Sequence, residues 1–390
     1  MKVAIVHYWL LSMRGGEKVV DALRELYPEA DLFTHVHDPD GVSPRLRQRV
    51  RTTFVQRLPL ARRLYQWYVP LMPLALEQLD LSGYDLVISS EAGPAKGVIT
   101  DPGALHVCYC HSPMRYIWDM RHEYLRGAGL LKRILAAVAG HYLRIWDVHS
   151  AARVDAFVAN SQFVRARIRR YYGRDAAVIN PPVDTEFFNG GSSRHEFYLL
   201  AGQLVPYKRA DIAVEAFRAN GRELVVIGEG EARRHLEKLA GRAPNIRFLG
   251  WQSDEVLREH LATCRALVFP GLEDFGILPV EAMACGTPVL AYRAGGAAET
   301  VLDGETGVLF DAQTPEELNR AITRFETMQD GFDSSGIRER ARRFSRARFL
   351  ERFAALVNEL MATRTADHVG GAPSVARAAP AGGAMGRVSV

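Results

Sequence analysis

The chain has 390 residues, 48% of them hydrophobic and 24% charged, with a formal net charge of +4. That length suits two domains, and that composition is globular and neither fibrous nor disordered. The small positive excess does not demand nucleic acid, no run approaches the ~18 apolar residues of a membrane span, and four cysteines make no disulfide framework.

In chain order, "KVAIVHYW" reads as a buried strand, "LSMRGG" as a glycine loop and "EKVVDALRELY" as an amphipathic helix. The first residues lack a small-residue cleavage site, so an N-terminal strand is expected and not a signal sequence. A cytoplasmic protein is expected, on the inner face of the plasma membrane if it is peripheral. Residues 57–79 mix Arg57, Arg62 and Arg63 with Leu60, Leu64, Trp67, Tyr68 and Leu71. This is either an interfacial segment that meets an anionic membrane or a core-facing helix with proline-broken ends. "DLVISS", "HVCYCHS" and "AFVANS" are further strand-to-loop units.

The Pro/Gly/Ser-rich stretch "INPPVDTEFFNGGSSR" reads as a linker, after which the pattern restarts. "EFYLLAGQL", "ELVVIGEG" and "IRFLGW" alternate with helical "ADIAVEAFRAN", "EARRHLEKLAG" and "SDEVLREHLATC". Strand–helix alternation argues for a parallel sheet covered by helices, so each half is an α/β, doubly wound unit with its ligand at the carboxyl ends of the strands. The expected division is a first Rossmann-like domain over residues 1–185 and a linker over 186–196. A second Rossmann-like domain follows over 197–345, then a helix over 346–363 that returns to the first domain, and a disordered tail over 364–390.

"GLEDFGILPVEAMACGTPV", residues 271–289, carries the chemistry. A helix is expected from about Pro279, with Glu281 in its first turn and Glu273 on the loop that feeds it. The amides of Phe275, Gly276, Ile277 and Leu278 would face the helix mouth, an anion site. A phosphate flanked by hydroxylated sugars would satisfy all three features. On spacing alone, a glutamate that complements the helix dipole and a solvated loop acid explain the pair as well.

"GQLVPYKRADIAVEAF", "EDFGILPVEAMACGTPV" and "GGAAETVLDGETG" together resemble the retaining glycosyltransferases of family 4, which have the GT-B fold of two Rossmann-like domains facing a cleft. "RGGEKV", "YCHSPMRYIWD" and "VPYKR" look most like bacterial GDP-mannose-dependent mannosyltransferases of surface-polysaccharide assembly. The resemblance implies that Glu273 contacts the donor sugar, Glu281 the ribose, and Lys208 the diphosphate; by its charge alone, Arg209 is a second positive group for that diphosphate. It places His111 against the sugar from the first domain, and Gly15 and Gly16 where backbone approaches donor or acceptor. It implies no metal and no cofactor, a nucleotide-sugar donor, and a glycan or polyprenyl-linked acceptor. Members commonly carry Arg where this chain has Gln203, so the phosphate clamp is one charge short unless Arg209 substitutes.

Other signals are weaker. Asp38 and Asp40 resemble a metal-binding D-x-D but sit in a turn-rich loop. "CYCH" at 108–111 lacks the partner pair of a zinc site, so buried strand cysteines are favoured. No G-x-G-x-x-G follows the first strand. A UDP-sugar-dependent transferase, a GT-B sugar-nucleotide epimerase and a non-catalytic nucleotide- or glycan-binding protein are the alternatives.

Overall fold

A computed structural model describes residues 1–125, 129–190, 194–328 and 331–370. The strands are β1 (Val3–His7), β2 (Asp31–Thr34), β3 (Val50–Thr52), β4 (Leu86–Glu91), β5 (Leu105–Cys110), β6 (Ala156–Ala159) and β7 (Ala176–Val178). They form a seven-stranded sheet in the order β3-β2-β1-β4-β5-β6-β7. Next come β8 (Tyr198–Ala201), β9 (Leu224–Ile227), β10 (Ile246–Gly250), β11 (Leu267–Phe269), β12 (Val289–Tyr292) and β13 (Gly307–Phe310). Their six-stranded sheet runs β10-β9-β8-β11-β12-β13. The named strand pairs are parallel, from β1 with β4 (Val6 opposite Ser89) to β8 with β11. Parallel sheets need both faces covered, which is why β1 and β5 are buried along their whole length.

Each sheet reverses its strand order once, at β1/β4 and at β8/β11. A crevice opens at such a reversal, beyond the carboxyl ends of the strands. His7, Glu91 and His111 stand at those ends in the first sheet, and residues 202–209 and 270–276 stand there in the second.

The helices that matter for the site are α1 (Gly15–Leu26), α2 (Leu130–Ala151), α3 (Gln162–Tyr172), α4 (Ala210–Asn220), α5 (Ile277–Ala284) and α6 (Arg346–Gly370). One face of the first sheet packs Ile5, Ile88 and Val107 against α1 and against Phe349, Phe353 and Val357 of α6. The other face packs Val6, Phe33 and Val87 against Val69, Met72 and Leu76, and against Leu143 and Trp146 of α2. The final helix therefore crosses back to the first domain. Arg346 anchors its start, with Nη2 2.7 Å from both Asp21 and Glu25 on α1. Burying Phe349 and Phe353 adds roughly 1.5–3 kcal/mol each. The helix runs to Gly370, seven residues past the expected boundary. The rest of the expected tail, 371–390, lies outside the described residues.

Two local expectations are corrected. Gly15 and Gly16 open α1 and do not belong to a loop before it. The second-domain helix begins at Ile277 and not near Pro279, because Gly276 at φ +82° turns the chain two residues earlier. Pro279 is thus the third helical residue, where its missing N–H costs nothing, and Glu281 lies in the second turn.

Residues 57–79 fold into short helical turns and no single long helix. Ala61, Val69, Met72 and Leu76 are core, whereas Leu60, Trp67, Leu71 and Leu74 point outward. Cys108 and Cys110 are buried, reduced positions of β5. Asp38 is held by Arg62 at 3.2 Å. Among the described residues no His/Cys/Asp/Glu group could hold a metal ion, and no helix is long and apolar enough to cross a membrane.

Candidate active site

Within the second domain, the loop after β11 delivers Glu273. Its Oε1 lies 2.9 Å from Lys208 Nζ, an ion pair. Burial opposes the Lys208 charge, but Glu273 outweighs it and raises the lysine pKa. The main-chain carbonyl of Glu273 accepts from the Gly296 amide at 3.0 Å. That bond ties the loop to the "GGAAET" turn. Phe275 is buried against Phe344. Beyond Gly276, the Ile277 and Leu278 amides belong to the open first turn of α5. Arg209 occupies a left-handed conformation (φ +54°) at the start of α4 and is engaged by Asp211 at 3.1–3.2 Å. Gln203 is exposed after β8.

The first domain faces this with its own strand ends. His111 Nε2 is 2.8 Å from Ser90 Oγ, and His7 Nδ1 is 3.1 Å from the same hydroxyl. One serine therefore fixes both rings. Burial first, and His7 second, lower the His111 pKa to about 3, so the ring is neutral at physiological pH. A Cβ on Gly16 would lie 2.5 Å from Tyr8 Oη, so the close approach of α1 to the Tyr8 ring favours glycine, and it would lie in ordinary contact, 3.6 Å, with His111 Nε2. A Cβ on Gly15 would lie 3.0 Å from Ile277 Cδ1, across the cleft. Lys18 Nζ then reaches Glu281 Oε1 at 3.1 Å, also across the cleft. Burial raises the Glu281 pKa against the pull of Lys18, and Glu281 holds Lys18 charged despite its burial. The loop glutamate, its lysine, a helix N-terminus and the Gly16–His111 corner thus border one cleft. Glu281, placed on the helix, is paired.

Several residues of the cleft were not singled out from sequence. Asp274 is clasped from the first domain by Arg115 Nη2 at 2.6 Å and Arg167 Nη1 at 2.7 Å. Ser161 caps α3, and its hydroxyl donates to the Asp274 carbonyl at 2.6 Å. Glu299 of the second domain accepts from the Gln162 and Phe163 amides at 2.8 Å, which neutralises the α3 N-terminus. Lower in the first domain, fully buried Lys96 bonds Glu91 at 2.7 Å and also pairs with Asp147. Asp147 accepts in turn from Trp118 and Tyr172. This buried network fixes the end of β4, whose Glu91 carbonyl holds the His111 amide at 2.7 Å. Arg115, Asp274 and Lys18 all lie inside the quoted motifs, but no spacing rule pairs residues this far apart. A cavity of about 890 Å³ between β7, α3 and α6 is lined by none of the candidate residues.

Residues 13–187 match the family described as Glycosyltransferase Family 4, and residues 183–348 match Glycosyl transferases group 1. The two models together cover residues 13–348, and both describe glycosyltransferases. It is 30% identical over 230 residues to the GDP-mannose-dependent alpha-(1-6)-phosphatidylinositol monomannoside mannosyltransferase of Mycolicibacterium smegmatis, covering 49% of this chain and 60% of the relative. It is 30% identical over 183 residues to an uncharacterized glycosyltransferase of Methanocaldococcus jannaschii, covering 46% and 52%. The chain thus spans about half to three-fifths of the length of these curated relatives. Among solved structures, Anabaena HepE in complex with UDP-glucose superposes with a TM-score of 0.67 at 19% identity, over 92% of this chain and all of that one. Sucrose-phosphate synthase of Thermosynechococcus elongatus gives 0.70 at 18% identity, over 93% of this chain and all of that one. The fold is GT-B: two parallel-sheet, Rossmann-like domains.

Proposed function

We propose that the protein is a retaining hexosyltransferase that moves mannose from GDP-mannose to a glycan or polyprenyl-linked glycan acceptor. The observation that carries this reading is the Glu273–Lys208 pair beside the open α5 N-terminus, facing Gly16 and His111 across the cleft. The reaction breaks the sugar C1–O bond to the diphosphate, and negative charge collects on the departing phosphate. Lys208 and the Ile277 and Leu278 amides are fixed positive groups for that charge, and they lower the barrier without a metal. Glu273 orients the sugar hydroxyls, and Glu281, released from Lys18, accepts from the ribose. The acceptor hydroxyl adds to C1 on the face the phosphate leaves, and its proton passes to that phosphate oxygen. Neutral His111 hydrogen-bonds the sugar without adding charge.

GDP-mannose is favoured by the similarity to a mannosyltransferase, whereas the structures of HepE with UDP and UDP-glucose favour a UDP-sugar. Thermal-shift titration across a nucleotide-sugar panel separates the two, because a bound donor raises apparent stability by mass action. The expected result is the largest shift with GDP-mannose, and transfer that survives excess chelator. A larger shift with UDP-sugars overturns the donor, and loss of transfer on chelation overturns the metal-free mechanism. Steady release of free nucleotide with no acceptor identifies an epimerase or hydrolase instead.

A further inference from the structure

Helix α2 has the plainest unexplained feature of the molecule. Its inner side is core: Leu143 and Trp146 pack beneath the first sheet, and Asp147 and Ser150 are buried. Its outer side carries Leu130, Leu131, Ile134, Leu135, Val138 and Ile145, all exposed, with Leu131 at 72% and Val138 at 68%. At 100° per residue these six fall on one arc about 140° wide, as broad as the stripe a helix normally turns inward. Soluble surfaces rarely leave such a contiguous apolar band bare.

The charges around the band choose its occupant. Asp147 is the one carboxylate of α2, and it is buried on Lys96. Arg133 is exposed in the first turn of the helix, and the separate turn at 121–124 carries one exposed charge of each sign, Arg121 and Glu123. The segment 57–74 shares the core layer under α2 and adds exposed Leu60, Trp67 and Leu74 with Arg57 and Arg63. No carboxylate occurs between Asp40 and Glu77. A second copy of the chain would set this patch against itself, with more arginines than acids facing one another. An anionic bilayer answers both features: acyl chains take the apolar band, and headgroup phosphates take the arginines.

We infer that the outer face of α2, flanked by the 57–74 turns, is a docking surface for an anionic lipid membrane. This does not rest on the sugar-transfer reading, since neither segment supplies a residue to the cleft described above. A single interfacial helix sinks only ~5–10 Å, so the attachment is reversible and has both a salt-sensitive and a salt-insensitive part. It sets the first domain on the membrane.

The test is flotation of the full chain with vesicles of phosphatidylcholine alone or mixed with phosphatidylglycerol, at low and high salt. The expected result is binding to the mixed vesicles that weakens with salt without vanishing. Leu131→Ser/Leu135→Ser/Val138→Ser should weaken it at least tenfold while the melting temperature is kept, because the three side chains leave no cavity. Arg57→Gln/Arg63→Gln should remove mainly the salt-sensitive part. Nucleotide binding in solution should be the same in all variants, which separates failure here from failure of the transferase reading. No binding to mixed vesicles at low salt, or unchanged binding by the triple variant, overturns the inference. So does a dimer in light scattering that the triple variant dissociates, since the band then belongs to a second copy.

Discussion

Asp274→Asn is the sharpest perturbation of the cleft. The side chain keeps its shape but loses the charge that faces two guanidinium groups at 2.6 and 2.7 Å. Asp274 and Arg115 are each 15% exposed and Arg167 is 8%, so water repairs little of the loss. A charged hydrogen bond contributes about 1.5–3 kcal/mol. Arg167 keeps Asp119 at 2.7 Å and Ser112 at 2.7 Å, and the new amide still accepts one bond. The net loss should therefore be about 2–4 kcal/mol. All of it falls between domains, because both arginines belong to the first and Asp274 to the second. About 3 kcal/mol is roughly a hundredfold in an equilibrium, so the closed arrangement should give way to an open one. Small-angle scattering should show a larger radius of gyration for the free variant, and saturating donor should restore much of it. kcat/KM should fall ten- to a hundredfold, and circular dichroism should be unchanged. Arg115→Met combined with Asp274→Asn should cost less than the sum of the two, as residues in contact do. A variant with wild-type scattering and wild-type kcat/KM would refute the clasp.

The two glutamates should separate kinetically: Glu281→Ala should mainly weaken nucleoside diphosphate binding in calorimetry. Glu273→Ala should mainly lower kcat, because its contacts tighten as charge develops at C1; equal effects on affinity alone would overturn the assignment. Acid should destabilise the fold early. Burial lowers His35 to about 3, His106 to about 4 and His111 to about 3, so the unfolded chain binds their protons first, near pH 6.5. Their contribution is complete above that pH and is lost as pH falls through it, whereas Glu91 and Glu281, raised by burial, lose theirs as pH rises. Three groups against two leave a net of about one proton, roughly 1 kcal/mol per pH unit below pH 6.5, and denaturant unfolding at pH 6 and pH 5 should show the drop; equal stability would contradict it. Gln203→Arg should tighten nucleoside diphosphate binding by about 1 kcal/mol, one charged contact at a diphosphate, and unchanged calorimetry would mean the side chain points elsewhere.

The sequence by itself determined the layers. Apolar runs such as "VAIVH" and "LVVI", separated by amphipathic helices, can be stable only as parallel strands covered on both faces, and that information is local. The same holds for the loop-then-helix unit that presents Glu273 and the Ile277 and Leu278 amides, where glycine and proline punctuate a short stretch. Its exact start was missed by two residues, because the positive φ of Gly276 is not visible in the letters. Tertiary structure alone decided the partners. Arg115 and Asp274, Lys18 and Glu281, and Lys96 and Asp147 are 159, 263 and 51 positions apart. Nothing in their neighbours encodes the meeting. It depends on how two sheets and a returning helix set one set of strand ends against another. The same holds for α2, whose apolar residues lie on both its buried and its exposed side. Which side met the core, and that leucine and valine stayed bare on the other, followed from the room the sheet left beneath it.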